Sequence, residues 1–482
     1  MPATSPDESD RAGRVEAHGA DYVPESERHG SPRSLFAVWA GSNVAYLYFV
    51  VGGLLILLGM SLWQAILVVL TGNLLWAAVG YLAISGPASG SPSEVISRAF
   101  FGINGNRVVQ IVNGWVVGVL YEAINLSVGA LAGFALVQQV FGSASDLVKG
   151  CVVVGLAFVT FTISVYGHGT IMKLAPWFTG TLLAALLVLT FFVIGHADFS
   201  YHPTGGGLTG RAWWETSAVG FGIIAAGPLS WAVGADYSRY LPSSTNARAT
   251  AFWTGIGGFV PAVGIAVLGI LSATAIDMTD PETAMAGILP TWFYLVFLLL
   301  IVVGSISNNA LTAYSTGLAL LATGIPWRRS ITVIFDAVVA IGVTLYALFI
   351  SNFLDTLSGL LEVSVAVLAP FMTIYALDIF LRRNRYDGPG LQSTNRTSRY
   401  WFAGGFNPGG FGGLVAGSAA SFLSLNTTFY VGPIARALGG ADISVFVGAV
   451  VGGGIYWITE RGRVRTAITQ LGAHTLEEGV AA

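Results

Sequence analysis

Charged side chains are scarce in this chain. Of its 482 residues only 10% are charged, whereas 54% are hydrophobic. A soluble globular protein has about 25% charged residues, so the composition excludes the ordinary soluble class and predicts that lipid is the main solvent. The formal net charge of −3 gives no indication of a nucleic-acid partner, and we expect none.

Cysteine and a secretion signal are lacking as well. The single cysteine, Cys151, lies in an apolar run, which excludes an internal disulfide framework and a thiolate metal cluster. The amino terminus is polar and mixed in charge, without the apolar core and cleavage site of a signal peptide. We predict that residues 1–32 form a disordered cytoplasmic tail, because they contain too few apolar residues to offset the cost of ordering.

Catalytic motifs and soluble domains are also absent from the pattern. The six histidines make no HExxH spacing, and neither a GxSxG elbow nor a P-loop occurs. The longest polar stretch between apolar runs, residues 382–408, is too short to build a core. We therefore predict that the protein is not an enzyme, that it needs no cofactor other than a coupling ion, and that it has no obligate protein partner.

Long apolar runs are what the chain has in quantity. A bilayer core about 30 Å thick needs roughly 20 apolar residues per helix, and this length divides the chain into about twelve predicted spans. The predicted spans begin near Leu35, Trp63, Val108, Val148, Leu174, Ser217, Ala251, Thr291, Ile331, Leu354, Gly409 and Ile443. The predicted organisation is a transporter core over 33–383, a cytoplasmic loop over 384–408, two further helices over 409–460 and a cytoplasmic tail over 461–482.

The basic residues predict the orientation. If both termini are cytoplasmic, 19 of the 22 lysines and arginines fall on the cytoplasmic side, and Lys149, Arg211 and Arg436 fall outside. This asymmetry agrees with the positive-inside rule for an even number of spans. We expect a multi-pass protein of the plasma membrane (the inner membrane of a bacterium), with both termini in the cytoplasm.

Two of the predicted spans are interrupted by small or helix-breaking residues. Gly41, Ser42 and Asn43 interrupt the first span, and Gly227 and Pro228 interrupt the sixth. Transporters built from inverted repeats bind substrate at such breaks, although a simple proline kink is the alternative at Pro228. Five spans separate the two breaks, which favours a five-plus-five inverted repeat with two appended helices.

Four segments have characteristic residues and occur in a characteristic order. They are YVPESERHGSPRSLFAVWAGSN at 22–43, SGPASGSPSEVISRAFFGINGN at 85–106, GPLSWAVGADYSRYLP at 227–242 and SISNNALTAYSTGLAL at 305–320. These segments resemble the nucleobase:cation symporter family, in particular its purine/cytosine permease branch. The resemblance implies an all-α leucine-transporter-type fold and cation-driven import of cytosine or purines by alternating access. Allantoin, hydantoin, another heterocycle or an amino acid is the alternative cargo for a symporter of the same fold.

The resemblance also implies which residues hold the substrate. It places Trp115 where a tryptophan stacks on the base, and Asn308 and Asn309 where paired amides present donors and acceptors to the base edge. The alternatives are that Trp115 is filler at a membrane interface and that the asparagines bond neighbouring helices.

The two breaks supply the remaining predicted contacts. Gly227, Ser230 and Trp231 fall where the family contacts substrate through backbone and one aromatic ring, and packing is the alternative role for Trp231. At the first break, Ser42 and Asn43 are the predicted contacts.

The coupling ion is left open between sodium and a proton. The resemblance implies a sodium site from Ala40, Asn43, Ser307 and Asn308, although sodium-driven relatives have two adjacent hydroxyl residues where this chain has Ser307 followed by Asn308. Because carboxylates inside a membrane are costly and usually functional, Glu122 is the candidate for proton coupling, with Glu362 comparable.

One charge pair has a predicted structural role. Asp236 and Arg239 are three residues apart, one turn of a helix, and we predict that they form an ion pair at the cytoplasmic face.

Overall fold

The protein is described by a computed structural model that covers residues 12–16, 18–203, 206–350, 353–427 and 429–480, without the side chains of residues 353–358 and 467–480. Within these ranges the regular elements are all helical. The all-α fold class predicted from the sequence is therefore confirmed. Residues 1–11 of the predicted tail lie outside the described residues.

Twenty-two α-helices follow one another in the described part of the chain. They are α1 Ser34–Asn43, α2 Tyr46–Leu57, α3 Leu62–Asn73, α4 Trp76–Ala83, α5 Ser85–Ser89, α6 Ser93–Ile96, α7 Arg98–Phe101, α8 Ile103–Val109, α9 Val117–Phe141, α10 Asp146–Tyr166, α11 His168–His196, α12 Gly210–Ser230, α13 Ala235–Ser238, α14 Ala247–Ala273, α15 Pro281–Ala284, α16 Thr291–Ala322, α17 Arg329–Phe349, α18 Phe353–Arg382, α19 Gly388–Gln392, α20 Pro408–Leu423, α21 Pro433–Ala437 and α22 Ser444–Val480. A π-helical segment, Gln110–Val116, joins α8 to α9.

Nine helical stretches of the described chain are long and apolar enough to cross a membrane, and ten are when the bent pair α1–α2 counts as one span. The predicted total of twelve is not confirmed by this measure. Of the two helices that follow α18 in the predicted plan, α20 has only 16 residues, while α22 continues into charged sequence. Most predicted span starts nevertheless lie within two residues of a helix start, such as Trp63 on α3, whereas Val108, Leu174, Ser217 and Ala251 lie four or more residues past one.

The first predicted interruption is a sharp bend, whereas the second is a short stretch of turns that lies later than expected, within the single span Gly210–Ser238. The axes of α1 and α2 differ by 53°. In the sixth span, α12 continues through Pro228 to Ser230, and the break occupies residues 231–234 before α13. Pro228 lies in the last turn of α12, so its missing amide hydrogen removes a hydrogen bond only near the helix end.

Close crossings of small residues hold the broken first span in place. At the contact between α2 and α14, Gly52 faces the backbone of Ala266, and Gly269 faces the backbone of Phe49. A side chain at either glycine would collide with the opposite main chain, so the two helices approach as closely as small residues allow.

The described part of the amino-terminal tail is not disordered, contrary to the prediction. Its backbone amides bond to the main chain of three helix ends, as from Glu16 to Tyr166 (3.2 Å) and from Val23 to Gly90 (2.8 Å). Val23 is fully buried. We call the end of the helix bundle covered by residues 12–32 the tail face.

Glu16 is the anchor of this segment and its side chain is 1% exposed. One carboxylate oxygen lies 2.7 Å from Nη2 of Arg239 and the other 3.6 Å from Nε of Arg329. The hydroxyl groups of Tyr240 and Tyr314 donate to the first oxygen at 2.7 and 3.0 Å. Burial alone would raise the pKa of Glu16, but the charges of Arg329 and Arg239 outweigh it and hold the pKa below its ordinary value.

The other terminus also departs from the predicted plan. Residues 461–480, predicted as a tail after the last span, continue the helix α22 as far as Val480.

We predict that Glu16→Gln lowers the thermal unfolding midpoint of the purified protein. The change leaves two buried guanidinium groups without their anion, and breaking a buried pair costs about 3–5 kcal/mol. Because the pKa of Glu16 is lowered by folding, its contribution is present above the ordinary glutamate pKa and is lost as the pH falls through the folded value. The difference from wild type should therefore be full at neutral pH and shrink in acid.

The control is Glu25→Gln in the same segment, where the carboxylate pairs with Arg28 but is 52% exposed. An exposed pair contributes about 0–1 kcal/mol, so this variant should unfold like wild type. Equal midpoints for Glu16→Gln and Glu25→Gln at neutral pH contradict the anchoring role.

Candidate functional site

A cavity lies between the two helix breaks. The start of α2, the start of α9, the end of α12 and the second half of α16 form its walls. Its polar or ionisable lining residues are Tyr48, Glu94, Asn113, Tyr121, Asn125, Ser230, Asn308, Thr312, Ser315 and Thr316.

The break after α12 contributes all three of its predicted contacts to the cavity wall. Gly227, Ser230 and Trp231 line it. The Ser230 hydroxyl donates to the Gly227 carbonyl at 2.7 Å. Trp231 packs edge-on against Trp39, with ring centroids 5.4 Å apart and an interplanar angle of 89°, so a second ring holds the indole at the cavity wall.

Asn308 lies at the centre of an amide chain across the cavity. Its Oδ1 accepts from Nδ2 of Asn125 at 2.7 Å, and its own Nδ2 donates to the Ser42 carbonyl at 2.7 Å. These bonds join α9, α16 and the end of α1. The side-chain amides of Asn125 and Asn308 thus connect the cavity wall to the first break.

The other member of the predicted pair points elsewhere. Asn309 donates from Nδ2 to the Glu122 carbonyl at 3.1 Å and does not line the cavity. Consecutive residues on an α-helix lie about 100° apart, so the pair cannot present both amides to one ligand. The structure corrects the prediction for Asn309, which bonds α16 to α9.

Trp115 also has a different place from the predicted one. Its neighbours Gly114, Val117 and Gly118 line the cavity, but the indole points to α17. There its Nε1 donates to Oδ1 of Asp336 at 2.7 Å, and its ring stacks on Phe335 at 5.6 Å. The structure thus gives the indole a buried carboxylate as its partner, and not the face of a ligand.

The cavity face of α9 contains two residues that the sequence reasoning missed. Tyr121 donates from its hydroxyl to the Ala226 carbonyl at 3.1 Å, which satisfies backbone just before the second break. Asn125 lies one turn further. The spacing of Gly114, Gly118, Tyr121 and Asn125 at three and four residues marks one helix face, and this periodicity could have identified both.

At the first break the predicted sodium ligands come together, but with partners from the protein. Ser307 donates to the Gly41 carbonyl at 2.9 Å, and the amide of Val44 donates to the Ala40 carbonyl at 3.0 Å. Together with the bond from Asn308 to Ser42, these contacts give the carbonyls at the end of α1 hydrogen-bond donors.

The side chains of Ser42 and Asn43 fold back onto α1. Both donate to the Trp39 carbonyl, at 3.0 and 2.8 Å. Oδ1 of Asn43 in turn accepts from the Tyr48 hydroxyl at 2.7 Å. The predicted substrate contacts at the first break are therefore absent from the cavity wall, and Tyr48 lines it in their place.

The predicted ion pair within the sixth span is wrong. Asp236 accepts from the Ser93 amide at 2.9 Å and from the Ser315 hydroxyl at 2.6 Å. Arg239 pairs instead with Glu16 from the tail. Tertiary partners therefore replace the local pair that the three-residue spacing favoured.

Glu122 and Glu362, the two carboxylates predicted to couple protons, do not line the cavity. Glu122 is fully buried. Glu362 is 5% exposed. The proton-coupling roles of Glu122 and Glu362 stay predictions.

Comparisons of the chain with a family model and with known relatives agree with one another. The model of the family described as permeases for cytosine/purines, uracil, thiamine and allantoin matches residues 22–448. A putative purine-cytosine permease of Bacillus subtilis is 25% identical over 466 residues, which cover 94% of this chain and 97% of the relative. A purine-cytosine permease of Emericella nidulans is 26% identical over 472 residues, covering 90% and 86%.

Solved structures support the leucine-transporter-type fold. Mhp1, a nucleobase-cation-symport-1 family transporter solved in a closed conformation with bromovinylhydantoin bound, superposes with a TM-score of 0.75 at 16% identity, covering 93% of this chain and 99% of that one. A manganese transporter of Eremococcus coleocola superposes with a TM-score of 0.54 at 12% identity, covering 93% and 98%. At these identities the likeness concerns the fold.

We predict that Trp115→Phe lowers the thermal unfolding midpoint, because the buried Asp336 carboxylate loses its indole donor. Leaving a buried acceptor unsatisfied costs about 1–3 kcal/mol, and more for a charged group. The control is Trp177→Phe on α11, where the indole is 76% exposed. An unchanged midpoint for Trp115→Phe contradicts the structural role assigned to this residue.

Proposed function

Because the chain belongs to the family of permeases for cytosine/purines, uracil, thiamine and allantoin, we propose that it is a secondary active transporter that imports a nucleobase, cytosine or a purine. Import is driven by cation symport and proceeds by alternating access. The cavity between the two breaks is the substrate site.

One observation carries this proposal: Trp231 and the amide chain through Asn308 line the same cavity. A nucleobase has a flat π-face and an edge of donors and acceptors. An aromatic ring binds such a face by stacking, and a side-chain amide provides both a donor and an acceptor for the edge. Asn125, Asn308 and Thr312 are the edge contacts that we assign.

The charges of the cavity favour a neutral heterocycle over an amino acid. Among the described lining residues there is no lysine, arginine or histidine to meet a substrate carboxylate. Bringing a zwitterion into a cavity without a paired cation carries a desolvation cost. The purine-cytosine specificity named for the two relatives supports the same class of cargo, and hydantoin and allantoin serve as competitors in the test.

The arrangement at the first break favours a proton over sodium as the coupling ion. A sodium ion at this place would be held by carbonyl and hydroxyl oxygens. Here the Gly41 and Ser42 carbonyls accept hydrogen bonds from Ser307 and Asn308. We therefore propose proton symport, with the sodium site of Ala40, Asn43, Ser307 and Asn308 as the competing possibility.

The tail face is the cytoplasmic face in this proposal. Arg98, Arg239 and Arg329 all lie at that end of the bundle, as the positive-inside rule expects of a cytoplasmic surface. Both termini are then cytoplasmic, and the protein lies in the plasma membrane.

Proteoliposomes test the cargo. The purified protein should support saturable uptake of radiolabelled cytosine, adenine or hypoxanthine in response to an inwardly directed proton gradient. Unlabelled hydantoin, allantoin and leucine are the competitors. Uptake of leucine with no uptake of any base contradicts the proposal. Competition by allantoin alone would indicate that the cargo is a related heterocycle.

The same vesicles identify the coupling ion. Replacing sodium by choline should leave uptake unchanged, while a protonophore should abolish accumulation above the external concentration. Loss of uptake in choline with no effect of the protonophore would assign the coupling to sodium and leave the cargo assignment intact.

A further inference from the structure

One carboxyl group of the cavity wall has no part in the site described so far. Glu94, on the short helix α6 at the tail-face end, lines the cavity and is 2% exposed. Among the described residues, no N–H or O–H group donates to either carboxyl oxygen of Glu94. Its backbone is fixed, because its carbonyl accepts from the Asn106 amide at 2.7 Å and from the Ser97 hydroxyl at 2.9 Å.

The neighbour of this carboxyl group is a second carboxyl group. Asp236 lies beside Glu94, because its Oδ1 accepts from the backbone amide of Ser93, the residue before Glu94, at 2.9 Å. Two neighbouring buried carboxylates cannot both be ionised without a large electrostatic cost. Asp236 already accepts from the Ser93 amide and the Ser315 hydroxyl, which stabilises its charged form, so the proton resides on Glu94.

The nearby buried cations are engaged by other groups. Arg239 and Arg329 both pair with Glu16. The other titratable groups facing the pair are Tyr237, Tyr314 and Tyr375. Arg98, on the next helix, donates instead to the carbonyls of Leu391 and Ala322.

We propose that Glu94, in the cavity wall beside Asp236, is the proton-binding site through which transport is coupled to the proton gradient. This proposal rests on the proposed nucleobase transport and names its coupling site. Burial and the charge of Asp236 raise the pKa of Glu94 well above its ordinary value, in agreement with the geometry.

The position of Glu94 in the cavity wall explains the coupling. A base that fills the cavity displaces the water that would solvate a charged Glu94, so the loaded and closed carrier needs the proton. When the tail face opens, water reaches the pair, Glu94 releases its proton to that water, and the base leaves. The empty carrier keeps water beside Glu94 and returns with the carboxylate charged. No covalent bond other than the O–H bond changes in this cycle.

The decisive variant is Glu94→Gln, since glutamine keeps the size and polarity of the side chain but carries no exchangeable charge. In proteoliposomes, wild type with one proton per base should accumulate base about tenfold per unit of pH gradient. We expect Glu94→Gln to retain exchange of internal for external base and to accumulate none above equilibrium. Cytosine, adenine and hypoxanthine are the probes. Accumulation by Glu94→Gln equal to that of wild type overturns the proposal.

Glu282→Gln is the matched control. Glu282 is also buried, and burial raises its pKa to about 7, but it lies on α15 away from the cavity, so accumulation should be unchanged. Glu122→Gln tests the alternative proton site. If this variant loses accumulation while Glu94→Gln retains it, the proton site is at Glu122 and the proposal is overturned.

Ser315→Ala is a milder second variant. It removes a donor from charged Asp236, which disfavours the ionised pair, so the pair should hold its proton to higher pH and the pH profile of uptake should shift upward. An unchanged profile contradicts the proposal even if Glu94→Gln does not fold.

Infrared spectroscopy gives a readout that needs no substrate. The wild-type protein at neutral pH should show the carbonyl band of a protonated carboxylic acid that Glu94→Gln lacks and Glu282→Gln retains. If no base is transported by wild type but this band is present, the proposed cargo fails while the protonation of Glu94 stands. If the base is transported but this band is absent, Glu94 is not protonated and the proposal is overturned.

Discussion

Backbone groups exposed by the two helix breaks need hydrogen-bond partners within the membrane, and the rest of the site depends on how these partners are supplied. Lipid offers none. The carbonyls at the end of α1 accept from Ser307 and Asn308, and the Ala226 carbonyl on α12 accepts from Tyr121. Three of these four helices thereby bring polar side chains to one cavity. The same helices therefore supply hydrogen-bond partners to the exposed backbone groups and polar side chains to the cavity.

The charges at the tail face form a second, separate constraint. Glu16 pairs with both Arg239 and Arg329, while Asp236 accepts hydrogen bonds from Ser93 and Ser315. A segment of the amino terminus therefore determines the electrostatic surroundings of a carboxyl group in the cavity wall.

Much of the fold could be predicted from the sequence, because hydrophobic length and glycine or proline interruptions are local signals. The helix starts, the first break and the cavity positions of Gly227, Ser230, Trp231 and Asn308 follow from them or from the family resemblance. What could not be predicted depends on rotation or distant pairing. Trp115 is next to a cavity-lining glycine but on another face of the helix. Glu16 meets its arginines only through the tertiary fold, across more than 200 residues of chain.

The central claim is that a planar base stacks on Trp231 in the cavity between the breaks. The most direct test is equilibrium binding of cytosine, adenine and hypoxanthine to purified Trp231→Ala, with the exposed Trp177→Ala as control. Loss of a base–aromatic stack costs about 1–3 kcal/mol, so the dissociation constant of the bound base should rise roughly 5- to 150-fold. A folded Trp231→Ala variant that binds the base as tightly as wild type would contradict the account.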